Sequence, residues 1–217
     1  MKINVPTSWQ AVTLRKYQAM TALFAESNEK GKSLKNKAKE LHDYHTECAL
    51  ISLLTDCDMG DILALHRGAH NRIMNELSFI EQPVEGKLRK RYRVNGRWYY
   101  FERNARQING GQWSTIMHFL EDADKIDENL HNLMACFAYR YEWFRSKYNG
   151  KIHEAIAEDM LELPMTVVKP LTDFFLKDWL KSVENTAVYL EIKGKMLKRK
   201  AERLLARSSQ NTDGSTR

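Results

Sequence analysis

The sequence predicts a mainly α-helical single domain with one inserted β-hairpin and a long basic C-terminal helix. Apolar residues recur at helical spacing through most of the 217 residues, which is typical of amphipathic helices. One stretch, Lys87–Arg103 (KLRKRYRVNGRWYYFER), instead joins an Asn-Gly turn to flanks rich in Tyr, Trp, Phe and Val, and this combination is the strongest short signal for a hairpin. The length fits one domain with a sizeable core. We therefore assign residues 1–207 to the domain and the polar residues 208–217 to a disordered tail.

Six helical segments are predicted around the hairpin, with a seventh at the C-terminal end. Before the hairpin we expect helices from Leu14 to about Ser27, from Ser33 to about Leu54, and from Asp58 to about Leu77. Thr13, Ser33 and Asp58 are the expected N-caps, because Ser, Thr and Asp favour that position. After the hairpin the predicted segments are Gln112 to Glu121, Asp127 to Phe144, Ile152 to Met160, and Leu171 to Ala206. Pro164 and Pro170 are expected to precede the last helix.

The hairpin occupies about residues 89–102, and its register follows from a two-residue turn at Asn95-Gly96. Such a turn pairs Val94 with Arg97, and the next pairs follow outward along both strands. Opposed residues share a face. One face then carries Tyr92, Val94, Tyr99 and Phe101, and the other carries Arg91, Arg93, Trp98 and Tyr100. We expect the first face to join the core and the second to offer cation–π contacts to a partner.

Charge is distributed unevenly along the chain. The formal net charge is +6, yet Lys87–Arg103 and Lys193–Arg207 each carry +6, so the remainder carries −6. Glu121–Glu128 (EDADKIDE) is the densest acidic stretch. This bipolar pattern favours protein partners or self-association over a surface that follows DNA along its length.

We find no pattern that indicates a catalytic, cofactor-binding or metal site. Gly31-Lys32-Ser33 lacks the earlier glycine and the preceding strand of a phosphate-binding loop. Glu128 and His131 form a single Glu-x-x-His pair, whereas di-iron bundles need two. Two histidine pairs, His42 with His45 and His66 with His70, lie one turn or less apart without the remaining ligands of a zinc site.

Cysteine content and hydropathy bear on the compartment. Cys48, Cys57 and Cys136 are an odd number at no metal-ligand spacing, which indicates reduced thiols in a cytosolic setting. No apolar run reaches the length of a membrane span, so we predict no membrane contact.

Short motifs near the N-terminus resemble the opening of a loosely related set of tailed-bacteriophage proteins. The matching residues are Ile3–Trp9 (INVPTSW), Val12-Thr13-Leu14 and Tyr17, and Gly111-Gln112-Trp113 and Leu163-Pro164-Met165 are also similar to that set. Its members are small, mostly helical proteins found among tail and virion genes, described as tail assembly chaperones or structural proteins. The resemblance implies a non-catalytic role in virion assembly, in the host cytoplasm or in the virion. It also implies other phage structural proteins, of the tail or the head–tail region, as partners.

The two basic clusters are the predicted contact sites. In the hairpin the residues are Arg91, Arg93, Trp98 and Tyr100. In the C-terminal helix they are Lys195, Lys198, Arg199, Lys200 and Arg203. The alternative function is nucleic-acid binding, in which both clusters form one basic face and the aromatic rings stack on bases.

Overall fold

The structure is a computed structural model and describes residues 3–102, 107–122, 125–140 and 150–182, together with 194–196 and 198. Over these ranges the chain is mostly helical and carries one three-stranded antiparallel sheet, so the predicted fold class is confirmed. The helices are α1 (Leu14–Gly31), α2 (Lys37–Thr55), α3 (Met59–Leu63), α4 (Arg67–Glu76), α5 (Gly110–Glu121), α6 (Leu130–Phe137), α7 (His153–Leu161) and α8 (Met165–Ser182). The strands are β1 (Arg91–Val94), β2 (Arg97–Phe101) and β3 (Ala138–Arg140). None of the helices in the described part combines the length and apolarity needed to cross a bilayer.

The first two helices begin and end at positions that local hydrogen bonds explain. Thr13 caps α1 as predicted, because its hydroxyl oxygen accepts from the Lys16 N–H at 3.4 Å. The predicted start of α2 at Ser33 is wrong. The Ser33 hydroxyl donates instead to the Lys30 carbonyl at 3.0 Å, so it belongs to the turn that closes α1. Asn36, at a positive φ of 47°, then directs the chain into α2.

The third predicted helix is two helices, α3 and α4. Asp58 caps α3 as expected, accepting from the Gly60 N–H at 2.7 Å. The break comes at His66, whose backbone is extended and whose Nδ1 accepts from the Ala69 N–H at 3.1 Å to cap α4. Gly68 in the following turn has low helix propensity, which helps explain why one continuous helix does not form.

After the hairpin, the predicted helix from Asp127 to Phe144 is wrong at both ends. Helix α6 begins at Leu130 and ends at Phe137, and the chain then becomes strand β3. Ala138 pairs with Phe101, and Arg140 pairs with Tyr99. Without β3, the backbone N–H and C=O groups along one edge of β2 would be left unpaired, and pairing with β3 supplies their hydrogen-bond partners. Residues 141–149 lie outside the described part.

Helix α8 begins at Met165, six residues before the predicted start, and includes Pro170. A proline inside a helix lacks the N–H that would bond the carbonyl four residues earlier, here that of Thr166. Gly86 lies against this carbonyl, where a Cβ would come within 2.7 Å of the Thr166 carbonyl carbon and 2.9 Å of Pro170 Cγ. Because Pro170 has no N–H to bond it, the Thr166 carbonyl lacks its usual helical partner, and Gly86 of another segment packs closely against this part of α8. The basic half of the predicted last helix and the predicted tail lie outside the described residues, except for 194–196 and 198.

Two of the short motifs, Val12-Thr13-Leu14 and Leu163-Pro164-Met165, meet in the core. The Leu14 N–H donates to the Leu163 carbonyl, and the Met165 N–H donates to the Val12 carbonyl, both at 2.8 Å. Nearby, Trp9 Nε1 donates to the Gln82 carbonyl at 3.1 Å, and the Trp9 ring is buried. These motifs therefore hold the N-terminal segment against the start of α8 and the segment that leads to the hairpin.

Candidate functional site

The hairpin has the register that the Asn-Gly turn predicts. Val94 faces Arg97, Arg93 faces Trp98, Tyr92 faces Tyr99, and Arg91 faces Tyr100. The predicted inner face is confirmed, because its four members are all buried: Tyr92, Val94, Tyr99 and Phe101. The sequence predicts two strands here, and the structure adds β3, which makes β2 the central strand.

The turn end of the hairpin is fastened to α7 by one carboxylate. Asp159 is only 4% exposed. Its oxygens accept from Asn95 Nδ2 at 2.8 Å, from an Arg97 guanidinium nitrogen at 3.0 Å, and from the Tyr99 hydroxyl. Charged hydrogen bonds of this kind are stronger than neutral ones. One residue of the turn and two residues of β2 therefore share one acceptor on the helical body.

The electrostatics of this junction keep the carboxylate ionised and the phenol neutral. Burial alone would raise the pKa of Asp159, but the hydrogen bonds from Tyr99, Asn95 and Arg97 outweigh burial and hold that pKa below its usual value. Burial, followed by the hydrogen bond to Asp159, raises the pKa of the Tyr99 hydroxyl. The phenol is therefore the donor and the carboxylate the acceptor over the ordinary pH range.

A pH dependence of stability follows from the lowered pKa of Asp159. The carboxylate stabilises the fold above its unfolded-state pKa, near 3.9, and this contribution is lost as pH falls through the lower folded-state pKa. We expect the urea midpoint to decline below about pH 4. Urea titrations of the protein and of Asp159→Asn at several pH values measure the effect. The asparagine variant should lack this part of the decline. If the urea midpoints of the two proteins fall in parallel with pH, the predicted role of Asp159 is contradicted.

The outer face of the sheet brings together the four hairpin residues predicted to contact a partner. Arg91 and Arg93 are exposed, Trp98 is 45% exposed, and Tyr100 is half-buried. The Arg91 guanidinium carbon lies 5.4 Å from the centroid of the Trp98 ring, which is within cation–π range. Tyr139 in β3 lies opposite Tyr100 and extends the aromatic part of this face.

Strand β3 is itself held in place by Gln112 at the start of α5. Gln112 is buried, and its Nε2 donates to the Cys136 carbonyl at 2.7 Å and to the Tyr139 hydroxyl at 3.2 Å. Its Oε1 accepts from the Asn109 N–H at 3.0 Å, which completes a capping box. These neutral hydrogen bonds fix the third strand, and with it one edge of the outer face, to the helical body.

Asp159, Arg97 and Asn95 were not among the predicted site residues. The sequence predicts Asn95 only as a turn residue and Arg97 only as the strand partner of Val94. Asp159 continues the helical stripe of Ile152 and Ile156, so a carboxylate at an otherwise apolar position was the signal that could have identified it. Its donors lie about sixty residues earlier in the chain, and no sequence pattern links them to Asp159.

The second predicted cluster is mostly outside the described residues. Lys195 and Lys198 are described and exposed. Arg199, Lys200 and Arg203 lie outside. The structure therefore brings together the hairpin cluster and gives no arrangement for the C-terminal one.

The histidine pairs have local roles where the structure describes them. His66 caps α4, and His42 Nε2 lies 3.0 Å from the Ser27 hydroxyl in α1. His70 is buried, with its ring centroid 5.0 Å from that of Tyr44. Within the described ranges, no three His, Cys, Asp or Glu side chains are grouped so that they could hold a metal ion.

Comparisons of this chain with protein-family profiles, curated proteins and solved structures gave no match.

Proposed function

We propose that this protein is a non-enzymatic bacteriophage assembly protein that binds other phage structural proteins through the outer face of its sheet. A tail assembly chaperone is the preferred role, and a virion structural protein is the alternative. The observation that carries the proposal is an outer face on which Arg91, Arg93 and Trp98 are exposed and Tyr100 is half-buried, on strands whose other face is buried. Tryptophan, tyrosine and arginine are the residues that most often dominate binding energy at protein interfaces.

The anchoring of the sheet supports binding without a large ordering cost. Asp159 holds the turn and Gln112 holds β3, so the exposed side chains project from backbone that is already ordered. Preorganisation of this kind increases affinity because less conformational entropy is lost on binding.

The charge arrangement favours a protein partner over nucleic acid. Arg97, one of the three arginines in the two hairpin strands, is engaged by Asp159, which leaves Arg91 and Arg93 for a partner. The other exposed cations of the stretch, Lys87, Arg89 and Lys90, precede β1 rather than lie in the strands. The strand face by itself therefore offers few phosphate contacts, and phosphate contacts supply most nonspecific affinity for nucleic acids. The negative charge of the rest of the chain would further oppose a polyanion.

Replacing Trp98 with alanine is the direct test of the proposed face. We expect about a tenfold or greater loss of affinity for a purified tail-tube or head–tail subunit, because a central tryptophan commonly dominates such an interface. The measurement is a titration followed by sizing chromatography of the mixture. Thermal stability should change little, since the Trp98 ring is 45% exposed. A matched control is Arg67→Glu with Arg72→Glu on α4, two exposed arginines away from the sheet.

Two outcomes would contradict the proposal. The first is that the protein associates with no tail or head protein. The second is that it binds DNA or RNA with an affinity that falls steeply between about 50 and 200 mM salt, which would favour the nucleic-acid function instead.

A further inference from the structure

A groove of about 840 Å³ lies between α1 and the segment that leads to the hairpin. Its apolar lining includes Trp9, Tyr17, Phe24 and Val84, and one wall is formed by Asp127 and Glu128. Phe24 is 36% exposed, which is high for a phenylalanine and leaves apolar surface open to solvent. The volume lies within the range of pockets that hold a ligand or several side chains.

Hydrogen bonds from α1 and from the N-terminal segment hold both walls of the groove. Trp9 Nε1 donates to the Gln82 carbonyl at 3.1 Å and fixes the wall that includes Val84. Gln18 Nε2 donates to the carbonyl oxygens of Asp127 and Glu128 at 2.8 and 2.9 Å and fixes the acidic wall. The groove is therefore formed before any occupant arrives.

The charge of the lining selects a cationic occupant. None of the lining residues in the described part is a lysine or an arginine, whereas Asp127 and Glu128 are both acidic. The neighbouring Lys125 pairs with Asp122 at 3.3 Å instead. An occupant that places apolar side chains on the floor and positive charges against this wall would match both features.

We infer that the groove receives the basic segment Lys193–Arg207 of a second copy of this chain. That segment carries a net +6, and its basic residues are interleaved with Met196, Leu197, Leu204 and Leu205. The other basic stretch outside the hairpin, Lys30–Lys39, carries five lysines, but Lys30 and Lys32 already pair with Glu26 and Glu29 in their own helix and turn.

The assignment to a second copy rests on the described part of the segment. Met196 and Lys198 are exposed, and neither of them lines the groove of its own chain. Each copy would give its basic segment to a neighbour and receive one in its own groove. A reciprocal exchange between two copies would close into a two-fold dimer, whereas exchange with two different neighbours would produce rings or filaments.

Charge reversal and rescue test this contact with the full-length chain. By sedimentation velocity at about 50 mM salt we expect reversible, concentration-dependent association that weakens at about 500 mM. Asp127→Lys with Glu128→Lys should weaken it about tenfold, and Lys198→Glu with Arg199→Glu should do the same. Mixing the two reversed proteins should restore association, because each reversed groove then meets a reversed segment. The matched control is Asp43→Lys with Glu76→Lys, two exposed carboxylates outside the groove.

Three results would overturn the inference. One is a monomer at every protein concentration at low salt. Another is weakening by both reversals without restoration in the mixture. The third is association that is lost with the groove variant and survives the segment variant, which would assign the groove to another part of the second copy. Trp98→Ala should leave self-association unchanged, so failure here and failure of the proposed partner face can be told apart.

Discussion

Replacing Asp159 with alanine is expected to lower the free energy of unfolding by about 3 kcal/mol. The substitution removes one acceptor that serves three donors. Asn95 and Arg97 are exposed enough to bond water instead, but Tyr99 is 1% exposed and its hydroxyl would lose its carboxylate acceptor inside the core. An unsatisfied buried donor costs far more than an exposed ion pair contributes.

Urea denaturation followed by tryptophan fluorescence measures this loss, with an unchanged dependence on urea as the sign that the folded state is intact. Arg97→Ala is the matched control, and its effect should be much smaller because that guanidinium is half exposed. Tyr99→Phe should cost less in the Asp159→Ala background than in the wild type, since the phenol has already lost its acceptor. Additive effects of these two substitutions would contradict the shared hydrogen bond.

The hairpin was predictable from the sequence because its information is local. Asn95-Gly96 specifies the turn, the turn specifies the register, and alternation then assigns each side chain to a face. The observed strand pairs and the buried face agree with the register and the faces predicted in this way. The caps at Thr13 and Asp58 were predictable for the same reason, because each acceptor and donor lie within three residues.

The errors arose where long-range contacts override local preference. Ala138–Arg140 continues an apolar helical pattern, yet it is a strand because β2 needs a second partner. Pro170 predicts a helix boundary, yet α8 continues through it. Asp159 belongs to a helical stripe, and only its position under the hairpin shows why a carboxylate lies there. In each case the deciding partner is distant in the chain.

The two surfaces proposed here use different parts of the bipolar charge pattern. The sheet face presents Arg91 and Arg93, whereas the groove presents Asp127 and Glu128. A protein with both could bind a different molecule through the sheet while copies associate through the groove. Two separate surfaces would fit the proposed assembly role, and they allow partner binding and self-association to be changed separately by substitution.

Replacing Gly86 with alanine is expected to lower the free energy of unfolding by about 3 kcal/mol, at the upper end of the usual cost of overpacking. The added methyl group would come within 2.7 Å of the Thr166 carbonyl carbon, closer still to its oxygen, and within 2.9 Å of Pro170 Cγ. A flexible side chain could move away from such a contact, but the obstacle here is mainly the backbone of α8. Either the helix or the segment leading to the hairpin must shift.

The same urea measurement tests this prediction, with Gly110→Ala as the matched control. A Cβ at Gly110 would meet nothing within 4 Å, so that variant should be neutral or slightly stabilised. Pro170→Ala should not rescue Gly86→Ala, because it removes the ring contact and leaves the Thr166 carbonyl in place. Rescue would mean that the proline ring, rather than the helix backbone, requires glycine at this position. Because Gly86 lies five residues before β1, its replacement should also displace the sheet face and weaken partner binding, whereas Gly110→Ala should leave binding unchanged.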